Sequence, residues 1–361
     1  MTRSEFASPG ELEEKPRAAW NVDSLVLEPG GAKCATATEL PLGTYLHSRQ
    51  TLKYEAVYFP LGYPVRVVCN SARVLEAAEQ SWNCFDAMFH GEPLEILLEV
   101  RSAAEPNEAL PPAPAHMLSG SLLLEIADTD NFFIADLKRG RAMARVTPAA
   151  AACPSYLRYF FLEAAALSMI SSLRAVAIHG ACVSAGGKGV LLCGDSGEGK
   201  STLAYAGARA GWTYVSDDAT YFPIDREDRL AIGNCTQIRF RPSGVALFPE
   251  LAGRPITPRA AGKPSIEVRT SEWPEIATAN ATRVDHVVFL NRRCVDTQEL
   301  VPLRTSSVLP WFRQHLILPP EARHAHEETL AQLLNAGVFE LRYRDLRWAI
   351  DCINELVKKG N

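Results

Sequence analysis

The stretch Gly194-Asp195-Ser196-Gly197-Glu198-Gly199-Lys200-Ser201 constrains the fold of this chain more than any other. Two glycines five residues apart, followed by Lys and Ser, form the pattern of a phosphate-wrapping loop. Such a loop turns its backbone N–H groups inward, and glycine reaches the required dihedrals without a Cβ in the way. Val190-Leu191-Leu192-Cys193 reads as a buried strand entering the loop, and Ser201-Thr202-Leu203-Ala204-Tyr205-Ala206 as the helix leaving it, closed at Gly211. The bland alternative is an ordinary glycine-rich turn, which motif and context together disfavour. The unit predicts an α/β fold and a bound nucleotide, ATP, lined by Gly194 through Thr202. Lys200 would place a point charge on the β/γ-phosphates, and the Ser201 hydroxyl would ligate Mg²⁺.

The chain has 361 residues, enough for two domains, with the 47% hydrophobic and 22% charged fractions of a soluble globular protein. Its net charge of −5 and the lack of a basic arm argue against nucleic acid as a partner. Nine cysteines, scattered from Cys34 to Cys352 without a C-x-x-C pair, read as small buried side chains in a reducing cytoplasm. Met1 to Phe6 contains no apolar core of a signal peptide. The longest apolar tract, Tyr159 to Ile170, carries Glu163 and is too short to span a membrane. The expected location is cytoplasmic, with no membrane partner and homo-oligomerisation possible.

Residues 1–20 are polar and read as disordered. Tyr54 to Phe59 and Val65 to Val68 read as strands around the turn residues Pro60, Gly62 and Pro64, and Asn70-Ser71 as the cap of a helix reaching Trp82. Leu94 to Val100 is a further strand, and Ala103 to His116 a loop or linker. Leu122 to Ile126, Phe132 to Asp136 and Ala142 to Val146 suggest a three-stranded meander. Pro154-Ser155 opens a long buried helix to about Arg174. The boundary falls near Pro148, giving an α+β domain over 1–148 and a catalytic domain over 149–361. In the second half, Ala181 to Cys193 reads as a hairpin turning at Gly186-Gly187, and Ala219 to Ile232 as another turning at Asp225 to Asp228. Trp212 to Val215, Ile266 to Val268 and His286 to Leu290 read as strands, and Tyr343 to Lys358 as a closing helix. Hairpins make the expected sheet mixed.

Asp217-Asp218 ends the strand after the loop helix, where carboxyl ends of strands meet a ligand crevice. One carboxylate there can hold Mg²⁺ and one can accept the proton of an attacking hydroxyl. Neighbouring strand residues face opposite ways, so both serve the site only if the strand breaks there. The competing reading is a strand-ending turn whose Asp side chains bond nearby N–H groups. His179, taken alone, reads as a structural histidine. Arg239 and Arg241, two apart, share a face of an extended segment and suit either phosphate clamping or solvent. Lys263 and Arg292-Arg293 are weaker candidates. His324 and His326, among Glu321, Glu327 and Glu328, read as residues of a surface helix rather than a metal site.

His179-Gly180, the loop Gly194 to Ser201 and Asp217-Asp218, in this order and spacing, resemble the catalytic domain of the HPr kinase/phosphorylase family. The resemblance is close over about 45 residues and loose from 175 to 300. It implies a phosphoenolpyruvate carboxykinase-like P-loop kinase domain with a mixed sheet, and catalytic roles for His179, Lys200, Asp217 and Asp218. Asp217 is then the base, and Asp218 with Ser201 holds the metal, the order within the pair being open. Thr202 stands where the family has Glu, and Thr236 to Gly244 lacks its second signature. The plan is more similar to diverged HPr-kinase-like proteins, some of which phosphorylate a peptide serine. The function expected is an ATP- and Mg²⁺-dependent kinase acting on a hydroxyl, a Ser of a peptide or protein, which residues 1–148 help to recruit. The alternatives are a non-catalytic nucleotide sensor and a small-molecule kinase.

Overall fold

The structure, a computed structural model, describes residues 52–101, 109–257, 264–293, 297–315 and 323–359. Residues 1–20 and Lys263 therefore lie outside the described residues. The architecture is mixed α/β.

Strands β1 (Tyr54–Tyr58), β2 (Val65–Cys69), β3 (Leu94–Val100), β4 (Ala115–Ser119), β5 (Leu122–Ile126), β6 (Phe132–Asp136) and β7 (Arg141–Val146) form one sheet in the order β1-β2-β3-β7-β6-β5-β4. Strands β2, β3 and β7 run parallel, and the other pairs are antiparallel. Strand β4 falls at the end of the tract expected to be a linker. It is an edge strand whose Ala115, His116 and Met117 are all exposed, so it lacks the alternation that marks a half-buried strand. Helix α1 (Ala72–Trp82) starts where expected, but Asn70 does not cap it. The Asn70 amide instead brackets the Val100 backbone, accepting from its N–H at 2.8 Å and donating to its C=O at 2.9 Å.

The long helix expected to about Arg174 runs from Pro154 to Leu173 with a π-helical stretch inside it. Helix α2 (Pro154–Leu157) passes through a π-helical turn, Arg158–Glu163, into α3 (Ala164–Leu173). Its apolar face, including Leu157, Phe161, Leu162, Ala166 and Met169, packs in one cluster with Val65, Val67, Ile96, Leu98, Phe133 and Ala144 of the sheet. Tyr221 and Ile232 join the same cluster, so a single core contains residues from both sides of Pro148.

The second sheet uses β8 (Ala175–Ile178), β9 (Ala181–Ala185), β10 (Lys188–Cys193), β11 (Thr213–Ser216), β12 (Thr220–Pro223) and β13 (Leu230–Gly233), with helix α4 (Lys200–Arg209) after β10. Strands β14 (Gln237–Phe240), β15 (Ile256–Thr257) and β16 (Ser265–Arg269) form a small separate sheet in the order β14-β16-β15. Strand β17 (Ala281–Asn291) then returns to the second sheet, followed by β18 (Glu299–Pro302) and β19 (Gly337–Arg342). Helices α5 (Thr305–His315), α6 (Arg323–Leu333) and α7 (Leu346–Lys358) complete the described residues. Helix α7 starts later than expected because the Asp345 side chain caps it, accepting from the Trp348 N–H at 2.6 Å.

Both expected hairpins form, β9/β10 and β12/β13. The 11-residue β17 is the spine of the sheet. One edge pairs in parallel with β10; the other pairs first with antiparallel β13 and then with parallel β19. A bulge between Gly189 and Val190 adjusts the register with β10. A Cβ on Gly189 would lie 2.0 Å from the Arg283 carbonyl oxygen, so only glycine fits there.

Candidate active site

Strand β10 delivers the chain to the loop at Gly194, and α4 begins at Lys200. Gly197 and Gly199 take φ of 99° and 94°, a region costly for any side chain. A Cβ on Gly199 would also sit 2.7 Å from the Tyr343 hydroxyl. The loop is braced from outside. Tyr343 Oη donates to the Glu198 carbonyl at 3.0 Å, and the buried Glu198 carboxylate accepts from the Arg292 N–H at 2.8 Å and forms an ion pair with Arg293 Nε at 2.6 Å. Asp195 accepts from the Trp311 indole at 3.2 Å, and Ser196 from Arg241 Nη2 at 3.1 Å. The side chains of Asp195, Ser196 and Glu198 thus hold the loop's shape, leaving its backbone and Lys200 to meet a ligand.

Lys200 is 7% exposed, and its ammonium donates to the loop carbonyls of Gly194 at 2.7 Å and Asp195 at 3.3 Å. Burial lowers its pKa, opposed by the nearby Cys193, Asp218, Asp195 and Glu198. A cation resting on the rim of its own loop suits an anionic ligand that would draw it away from those carbonyls. The glycine dihedrals and Lys200 fit a nucleotide phosphate chain. Thr202 lies in the first turn of α4 and is partly exposed.

Strand β11 ends at Ser216, and the chain bends at Asp217 and Asp218. Buried hydroxyls hold this bend. Ser216 Oγ lies 2.7 Å from Thr220 Oγ1 and accepts from the Cys182 N–H, while Thr220 donates to the Gly180 carbonyl. Asp217 is buried, and its Oδ2 accepts from the Arg239 N–H at 2.7 Å. Asp218 is partly exposed, with Oδ1 3.5 Å from His179 Nδ1 and Oδ2 3.7 Å from Arg239 Nη1. His179 Nδ1 also lies 2.9 Å from the Asp218 carbonyl. Ser201 Oγ donates to the Asp217 carbonyl at 3.4 Å, which joins the helix start to the aspartate bend.

The structure therefore gathers His179, Ser201, Asp217, Asp218 and Arg239 in one contact network, and Arg241 reaches the loop at Ser196. Arg292 and Arg293 brace Glu198 from outside the loop. His326 corrects the expectation of a surface helix: it is fully buried on α6, where burial lowers its pKa to about 4. Among the described residues no group of three or more His, Cys, Asp or Glu forms a metal cluster. A magnesium ion carried by a nucleotide takes few protein ligands, and Ser201 and Asp218 are the residues here that could supply them. No helix among the described residues is long and apolar enough to cross a membrane.

Sequence reasoning missed Tyr159, Gln237, Glu267, Trp311 and Tyr343. A signal existed for Glu267, a carboxylate between the apolar Ile266 and Val268, and for Tyr159, a hydroxyl within an apolar tract that must find a partner.

No family profile and no curated protein matches the chain. Among solved structures, it aligns with the Hpr(Ser) kinase/phosphatase from Coxiella burnetii at a TM-score of 0.31 and 14% identity, covering 51% of this chain and 88% of that one. At that score the likeness carries no weight for substrate or reaction.

Proposed function

We propose that this chain is an ATP- and Mg²⁺-dependent phosphotransferase of the phosphoenolpyruvate carboxykinase-like P-loop type, moving the γ-phosphate to a serine hydroxyl of a peptide or protein in the cytoplasm. The observation that carries this reading is the joining of a phosphate-wrapping loop to an aspartate pair through Ser201 and Asp217. A nucleotide sensor needs the loop alone; an aspartate pair tied to the helix start, one carboxylate buried and one partly exposed, suits transfer.

Lys200 and the loop N–H groups hold the phosphate chain in place. One carboxylate of the pair takes the acceptor proton as the acceptor oxygen bonds to the γ-phosphorus and the bond to the leaving ADP oxygen breaks. The other carboxylate, with Ser201, would hold a magnesium ion, which would supply charge neutralisation for the phosphate chain. His179 orients Asp218, and Arg239 sets the Asp217 carboxylate through its N–H. Residues 1–148 recruit the acceptor.

The test is incubation with Mg²⁺ and γ-labelled ATP together with candidate acceptor proteins and peptides. The expected result is phosphoserine in one of them, lost in Asp217→Asn. Label found only in a free metabolite points to a small-molecule kinase, and a wild type that binds no ATP refutes the reading.

A further inference from the structure

We infer that Glu267 and Tyr159 are positioning residues that act on the aspartate pair through Arg239, an inference that rests on the phosphotransfer reading. Strands β14 and β16 are antiparallel, with Arg239 directly opposite Glu267. Alternation sends Ile238, Phe240, Ile266 and Val268 into the aromatic core and leaves Gln237, Arg239 and Glu267 on the other face. Glu267 Oε2 accepts from Tyr159 Oη at 2.8 Å and from Gln237 Nε2 at 2.7 Å, which fixes the carboxylate. Its Oε1 lies 3.3 Å from Arg239 Nε, close but not aligned as a hydrogen bond, so the attraction is ionic. The guanidinium also stands 5.7 Å from the centre of the Tyr159 ring.

Arg239 thus touches both aspartates, Asp217 by its main chain and Asp218 by its side chain. Burial disfavours its charge, but Asp217, Glu267 and Asp218 together outweigh that and hold it as a cation. Those anions pull the guanidinium in opposed directions. Without Glu267 the cation closes onto the aspartate pair and ties up the carboxylates that chemistry needs. Tyr159 acts one step further out, by holding Glu267.

The test is steady-state ADP release with water as the acceptor, measured for wild type, Glu267→Gln, Tyr159→Phe, the double variant and Glu267→Asp. Glu267→Gln is expected to lower kcat about tenfold, with KM for Mg-ATP changed less than about twofold. Tyr159→Phe gives a smaller loss, Glu267→Asp recovers part of it, and the double variant is no slower than Glu267→Gln alone because both act through one residue. Melting temperatures separate this from simple destabilisation. Unchanged kcat in Glu267→Gln overturns the inference, as do additive losses in the double variant or kcat and KM changes that follow a falling melting temperature. A wild type that neither releases ADP nor labels an acceptor removes the phosphotransfer reading and this inference with it; an active wild type with indifferent variants removes the inference alone.

Discussion

Replacing Lys200 with Met separates ligand binding from stability, because the two are expected to move in opposite directions. Methionine keeps an unbranched side chain of similar reach and deletes the charge. In the folded protein Lys200 is 7% exposed and held by two loop carbonyls. Removing a charge-assisted contact to phosphate costs about 1.5–3 kcal/mol. That raises the Kd for Mg-ATP by about 10- to 150-fold. The sign for stability is the reverse. Burial lowers the pKa of Lys200 in the folded state, so at every pH below that lowered value folding must hold a charge in a poorly solvated place. The cost fades as pH rises from the lowered folded value to the ordinary lysine value, and Lys200→Met removes it at neutral pH. The ligand-free melting temperature is therefore expected to stay level or rise. Calorimetry gives the affinity and differential scanning fluorimetry the stability. A Kd within twofold of wild type refutes the cradle; a weaker Kd accompanied by a lower melting temperature refutes the argument from burial.

Asp217→Asn should keep Mg-ATP binding within about threefold, since an amide oxygen can still accept from Arg239, and lose phosphotransfer by about 100-fold or more in a labelling assay. Gly189→Ala places a Cβ 2.0 Å from the Arg283 carbonyl, and the urea midpoint should fall by the equivalent of about 3 kcal/mol. Among the described residues neither ring nitrogen of His326 finds a hydrogen-bond partner, and burial lowers its pKa to about 4. The unfolded chain takes up its proton first as pH falls from about 6.5. Wild type should therefore lose stability between that pH and 4, and His326→Leu should flatten the loss in melting curves across the range. A fragment starting at Pro148 leaves Leu157, Phe161, Leu162 and Met169 without the first sheet, and should elute as aggregate or lack a cooperative melt; a folded monomer would contradict the shared core.

What was legible in the sequence is what is local. Strand β10, the loop and α4 follow from a dozen consecutive residues, and the break at Asp217-Asp218 from two carboxylates ending an apolar run. Both glycine- or aspartate-marked hairpins were legible for the same reason. Features set by distant partners were not. Helix α6 carries Glu327 and Glu328 beside His326, a pattern that reads as surface, yet His326 is buried by tertiary packing that no neighbour in sequence announces. Tyr343 resembles a helix start, but its hydroxyl is spent on Glu198, 145 positions earlier. Glu267 and Tyr159 stand 108 positions apart and meet only because α2 and α3 lead the chain past the small sheet. Strand β4 was lost for a different reason: its exposed edge residues do not alternate.

The spine strand has a consequence for the order in which the protein comes into being. Strand β10 and its glycine loop leave the ribosome before the neighbours that hold them: β17, Arg292 and finally Tyr343 are made about 90 to 150 residues later. Until Tyr343 has been added, the Glu198 carbonyl lacks its hydroxyl partner. The nascent chain therefore cannot present a finished phosphate cradle while its first sheet is assembling. Completion of the loop's bracing thus waits on residues made long after the loop itself.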